Sequence, residues 1–133
     1  MRVIDHIGVA VRSIEEKLPL YRALGIEPGE GEEVPGQKVR VRFLPVEGTR
    51  IELLEPTGDG SPIATFITRR GEGLHHLCFQ VDDIRATMRR LEAEGLHLLS
   101  REPVAGAHGS LVCFVHPRSG GGVLIELVQQ AGT

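Results

Sequence analysis

Asp5-His6-Ile7-Gly8-Val9-Ala10-Val11 and, seventy residues on, His75-His76-Leu77-Cys78-Phe79-Gln80-Val81 are the two stretches that decide the fold. Both alternate in the period of a half-buried strand. With His6 set on His76, Ile7 meets Leu77, Val9 meets Phe79, Val11 meets Val81 and Ile14 meets Ile84. Gly25 then meets Gly95, and Ile26 meets Leu96. Farther along, Arg50-Ile51-Glu52-Leu53 is echoed by Leu124-Ile125-Glu126-Leu127, and Phe43-Leu44-Pro45 by Phe114-Val115-His116-Pro117. The four-residue drift in offset fits a loop from Pro103 to Gly109. Several matches in the same order mark a duplicated module of about 60 residues.

Each copy reads as βαβββ. A strand (3–11, then 74–81) leads into a helix. Ser13 with Glu16 three residues on is a capping box, and Asp83 caps the second helix. Ile84, Met88 and Leu91 give that helix one apolar face. Gly25 and Gly95 stand where a helix-ending glycine belongs. Pro19 inside the first helix predicts either a kink or a start later than Ser13. Three strands follow in each copy, at about 26–33, 38–45 and 49–55, then 96–101, 110–116 and 123–129. Between the copies Ser61-Pro62 opens a linker helix, about 61–70, which Gly71-Glu72-Gly73 ends. The expected class is therefore α+β, with module 1 about 1–58 and module 2 about 73–130.

Composition narrows the function. The chain has 133 residues, 41% of them hydrophobic, so it buries a real core and disorder is excluded. A net charge of −3 argues against nucleic acid as partner, since phosphate binding needs a basic face. There is no apolar run of membrane-spanning length and no signal-peptide pattern, so no membrane partner and a cytoplasmic location are expected. Cys78 and Cys113 each sit in an apolar strand-like run and read as two buried thiols.

Side chains on a strand alternate between its faces. Ile7, Val9 and Val11 face the helix in the first copy, as do Leu77, Phe79 and Val81 in the second. His6 and His76 then face away, together with Glu52 and Glu126 from the fourth strands. A lone strand His is usually structural and a lone strand Glu usually solvated. One His and one Glu at matched positions of both copies instead point to an N2O2 site for a divalent transition metal. His75 points to the opposite face, and His97, His108 and His116 have no repeat partner, which favours surface or supporting roles. The glycine clusters at 29–31 and 120–122 are turns without a phosphate-loop pattern, and no Ser-His-Asp constellation is present.

This pattern resembles the vicinal oxygen chelate superfamily, which also holds glyoxalase I, extradiol dioxygenases and fosfomycin-resistance proteins. Within it, Ile4 to Val11, Ile51-Glu52-Leu53-Leu54-Glu55-Pro56, Ser61-Pro62-Ile63-Ala64, Gly73-Leu74-His75-His76, Gly106-Ala107-His108-Gly109 and His116-Pro117-Arg118-Ser119 resemble the methylmalonyl-CoA epimerase family. The resemblance implies one domain over 1–133, a cupped mixed eight-stranded sheet with helices on its outer face. It implies one divalent ion per chain, bound by His6, Glu52, His76 and Glu126; Co2+ is expected, with Zn2+, Mn2+ or Ni2+ as alternatives. The reaction implied is interconversion of (2R)- and (2S)-methylmalonyl-CoA through a metal-stabilised enolate, with an acyl-CoA substrate and a homodimer.

Some members carry a proton-transferring Glu on the third strand of module 1, where this sequence has Arg40. Glu126 and Glu52 are accordingly expected to double as acid/base groups. Arg40 is expected to orient the substrate carboxylate or a CoA phosphate. Arg40, Arg42, Arg69, Arg70 and Arg118 are candidates for a basic rim around CoA, with Arg40 and Arg118 assigned to substrate. Two other readings use the same fold: a glyoxalase I-type isomerase acting on a hemithioacetal, and a metal-free small-molecule binding module.

Overall fold

A computed structural model describes residues 3–132. Its strands are β1 (Val3–Ala10), β2 (Gly31–Val34), β3 (Val39–Val46), β4 (Thr49–Pro56), β5 (Gly73–Gln80), β6 (Val104–Ala105), β7 (Leu111–Val115) and β8 (Leu124–Gln129). The helices are α1 (Ile14–Ala23), α2 (Pro62–Arg70) and α3 (Ile84–Ala93). The α+β class and the doubled βαβββ order are those expected, with parallel and antiparallel pairing mixed. The chain forms two compact units, one of residues 6–75 and one of residues 76–132 with the first residues of β1.

In the first unit the strands lie in the order β2-β3-β4-β1, with β1 parallel to β4 and the other pairs antiparallel. Val11, Ile14, Leu18, Leu44 and Leu53 pack α1 onto one face of this sheet. Fully burying a leucine such as Leu18 or Leu53 contributes roughly 1.5–3 kcal/mol. Ala10, Val39, Val41 and Leu54 form a second core with Ile63 and Ile67 of α2. α2 packs on the face opposite α1, because Ile63 and Ile67 recur at helical spacing and need an apolar partner.

The second unit repeats the order as β5-β8-β7-β6, with β5 parallel to β8. Ile84 and Met88 of α3 pack on Cys113 and Leu127, with Phe79, Val81 and Leu91 at the margin. The outer strand differs from expectation. Residues 96–101 make only an isolated bridge, Leu98 to Val115, and the regular strand is Val104–Ala105, inside the stretch read as a loop. Ser100 Oγ donates to the Glu102 carbonyl at 2.7 Å, and Pro103 has no N–H, so the strand breaks there. In the first unit, β2 likewise begins only at Gly31, after Pro28.

Local signals set the helix ends. The Ser13 hydroxyl accepts from Glu16 N and the Asp83 carboxylate from Ala86 N, as the caps require. α1 starts at Ile14 and runs through Pro19, forgoing the N–H that would reach Glu15. Gly25 N bonds Arg22 O and Ile26 N bonds Tyr21 O; Gly95 and Leu96 do the same to Glu92 and Leu91. Both glycines are left-handed, at φ 85° and 79°, and complete the same Schellman ending.

Candidate active site

The ladders decide which side chains share a face. Gly8 lies opposite Glu52 on the parallel pair β1–β4, and Cys78 opposite Glu126 on β5–β8. His6 and His76 sit two residues earlier, hence on the same face as those glutamates. Each unit thus presents one His/Glu pair. His6 Nδ1 lies 3.5 Å from Glu52 Oε2, and His76 Nε2 lies 3.5 Å from Glu126 Oε1. The side chains are 9% and 12% exposed in the first pair and 11% and 14% in the second.

That spacing and burial are informative together. An ordinary hydrogen bond runs roughly 2.7–3.2 Å, so neither pair makes a good one. Two atoms each roughly 2.0–2.2 Å from one ion stand about 3.0–3.5 Å apart, so each pair is spaced like neighbouring ligands of a divalent metal. Carboxylates buried this far call for positive charge nearby, and such an ion would add to it. The donor set therefore fits the ion expected from the sequence.

Arg40 does not join this face. It lies opposite Glu55 on β4 and Glu33 on β2, in a row of three across the sheet, and ion-pairs with both. Those bonds, Glu33 first, hold its guanidinium above the ordinary range. The positions of β3 on the His6–Glu52 face are Val39, Val41 and Phe43, so this strand brings no acid or base to it. The expected carboxylate-orienting role of Arg40 is thereby withdrawn. The sequence reading assigned Arg40 by alignment with the family and missed that its strand parity sends it to the α1 side. Arg42 shares that side, where Nε donates to Gly29 O at 2.7 Å. A cleft of about 570 Å³ lies there too, lined by Glu15, Glu33, Arg40, Arg42 and Glu55, away from the histidine.

Arg50 is the residue the sequence reading overlooked. It precedes Glu52 by two on β4 and so shares its face. Its Nε and an Nη each lie 2.9 Å from Glu52 Oε2, and its guanidinium lies 5.7 Å from the Phe43 ring. The i, i+2 spacing was the available signal.

The other histidines have structural surroundings. The His75 ring meets Phe66 edge-on at 4.9 Å. His97 and His116 meet edge-on at 5.1 Å, and His116 Nδ1 accepts from Arg118 N, bracing the turn between β7 and β8. His108 is exposed, at φ 54°. Arg118 is exposed on its turn, and Arg70 stacks on Phe66. Both cysteines are free and buried. Burial, then the charge of Glu126, pushes the Cys113 thiol up to about 11.

Residues 5–114 match the Glyoxalase/Bleomycin resistance protein/Dioxygenase superfamily. The Cereibacter sphaeroides ethylmalonyl-CoA/methylmalonyl-CoA epimerase is 43% identical over 129 residues, covering 95% of this chain and 96% of the relative. The chain belongs to the methylmalonyl-CoA epimerase family of that superfamily. Solved members of this epimerase family share the fold. A Streptomyces coelicolor methylmalonyl-CoA epimerase in complex with 2-nitronate-propionyl-CoA matches with TM-score 0.84 and 35% identity, over 98% of this chain and 95% of that one. A methylmalonyl-CoA epimerase in complex with methylmalonyl-CoA and NH4+ matches with TM-score 0.85 and 34% identity, over 99% and 96%.

Proposed function

We propose that this protein is an isomerase that interconverts (2R)- and (2S)-methylmalonyl-CoA. In this reading residues 1–133 are a single domain, and His6, Glu52, His76 and Glu126 together hold one divalent ion. The observation that carries the proposal is the repeated buried His/Glu pair at 3.5 Å in a member of the epimerase family. Two imidazoles and two carboxylates accommodate Co2+, the ion expected for the family, and equally Zn2+, Mn2+ or Ni2+. When bound, the ion supplies Lewis acidity where charge collects as the C2 proton leaves.

The chain's own groups do the rest. The two histidines keep the ion in place. Glu126 and Glu52 come from equivalent strands and take and return the C2 proton, one for each face of the substrate. Phe43, paired with Glu52 across β3 and β4, keeps water from the reacting carbon on the first unit's side. Arg118 meets an anionic group of CoA. We further propose a homodimer and a cytoplasmic location, the latter in keeping with two free, buried thiols. None of the described helices is long and apolar enough to cross a membrane.

The test is proton NMR of (2R)-methylmalonyl-CoA in D2O. Deuterium should enter C2 with metal-loaded protein and stop entering after chelation. A C2 proton that survives prolonged incubation with the loaded protein rules the proposal out.

A further inference from the structure

Register reveals an imbalance in charge around the proposed site. Around His6 and Glu52 the same-face strand positions include Gly8 and Ala10 of β1, Arg50 and Leu54 of β4, and Val39, Val41 and Phe43 of β3, with Glu32 and Val34 of β2 farther out. On the His76–Glu126 face they are His76, Cys78 and Gln80 of β5, Leu124, Glu126 and Val128 of β8, and Val112 and Phe114 of β7. Among these described positions Arg50 is the one cation, and its counterpart in the repeat is the apolar Leu124. It is fixed rather than waving in solvent: two of its nitrogens lie 2.9 Å from Glu52 Oε2, its plane approaches Phe43, and its side chain is 39% exposed.

We infer that Arg50 is a specificity-determining residue, which adds the positive charge that selects an acyl thioester bearing a carboxylate next to the reacting carbon. The inference rests on the proposed function. Two ionised glutamates would offset a divalent ion, and the buried carboxylate of Asp5, next to His6 in the chain, adds negative charge, so without Arg50 an incoming carboxylate is repelled. Arg50 adds one positive charge. The substrate arrives with one carboxylate and gains a second negative charge as its C2 proton leaves, so it is favoured at both stages. A neutral thioester or hemithioacetal gains nothing from that charge on binding.

The test compares two ligands that differ by that carboxylate, methylmalonyl-CoA and propionyl-CoA, on metal-loaded wild type and on Arg50→Leu, Arg50→Gln and Arg50→Lys. Arg50→Leu installs the second unit's residue, Arg50→Gln removes the charge but keeps a donor for Glu52, and Arg50→Lys keeps the charge. The expected result is that both neutral variants bind methylmalonyl-CoA about tenfold more weakly, with KM rising more than kcat falls. Their affinity for propionyl-CoA should stay within about twofold of wild type, and Arg50→Lys should recover most of the loss. Equal weakening of both ligands, or of neither, overturns the inference, as does loss of the metal from Arg50→Gln. A wild-type protein that binds methylmalonyl-CoA without exchanging its C2 proton counts against the proposed reaction alone. The ratio between the two ligands still judges Arg50.

Discussion

The two units of this chain keep one skeleton and spend their differences on side chains. In both, the residue just past the first strand donates a backbone bond to the fourth strand, Val11 N to Leu54 O and Val81 N to Val128 O, each 2.9 Å. In both, a side chain at the end of the fourth strand accepts from the first helical N–H: Glu55 from Ile14 and Gln129 from Ile84, each 2.8 Å. The caps, the Schellman endings and the His/Glu spacing also agree. Differences gather where side chains meet something other than the backbone. Glu55 carries an ion pair to Arg40 where Gln129 is neutral, and Arg50 stands where the second unit has Leu124. Backbone donors at a helix start have few ways to be satisfied, so that geometry outlasts duplication. Side chains facing a ligand or solvent are free to diverge.

The largest break in the comparison should come from the histidines. His6→Ala and His76→Ala should each lose the ion and reduce C2 exchange by at least about 100-fold while the fold survives, as the helix-facing cores are untouched. Metal analysis alongside the D2O assay checks this. If one His proves dispensable, the two pairs are not equivalent.

Next come the cores. Leu18→Ala in the first unit and Met88→Ala in the second, at 0% and 3% exposure, should each cost about 2–5 kcal/mol in urea unfolding. A loss confined to one transition would show that the units unfold separately.

The helix-start acceptors are worth less. Gln129→Ala and Glu55→Ala should each cost about 1 kcal/mol by the same measurement. Glu55→Gln, which copies the second unit, should cost less than Glu55→Ala, because it keeps the acceptor for Ile14. Equal losses from the two Glu55 variants would mean that the charge, not the bond to Ile14, matters.

The smallest effect concerns Cys113. Its thiol is raised from 9.0 to about 11, so the neutral form belongs to the folded state. That contribution is complete below pH 9 and fades as pH climbs toward 11. Cys113→Ala should flatten the decline in stability over that window. An unchanged slope would place the thiol's titration elsewhere.

Much of this was legible in the amino-acid order, because it depends on local period and repetition. Alternation placed β1 and β5, the shared face of His6 with Glu52 and that of His76 with Glu126, and the offsets of 70 and 74 exposed the duplication. Ser13, Ser61, Asp83, Gly25 and Gly95 announced their helix ends, since caps and left-handed glycines act within a few residues. Tertiary structure alone decided what depends on distant partners. α2 found its apolar bed on the face opposite α1 because Val39, Val41 and Leu54 present one there. The last outer strand broke at Ser100–Pro103 because β7 pairs with Leu98 and again with Val104 but not between. Arg40 was drawn to the α1 side by Glu33 and Glu55, carboxylates brought to it only by sheet register. Arg50 reached the site for the same reason, because a strand fixes the face of every second side chain while only the assembled ladder says what that face looks upon.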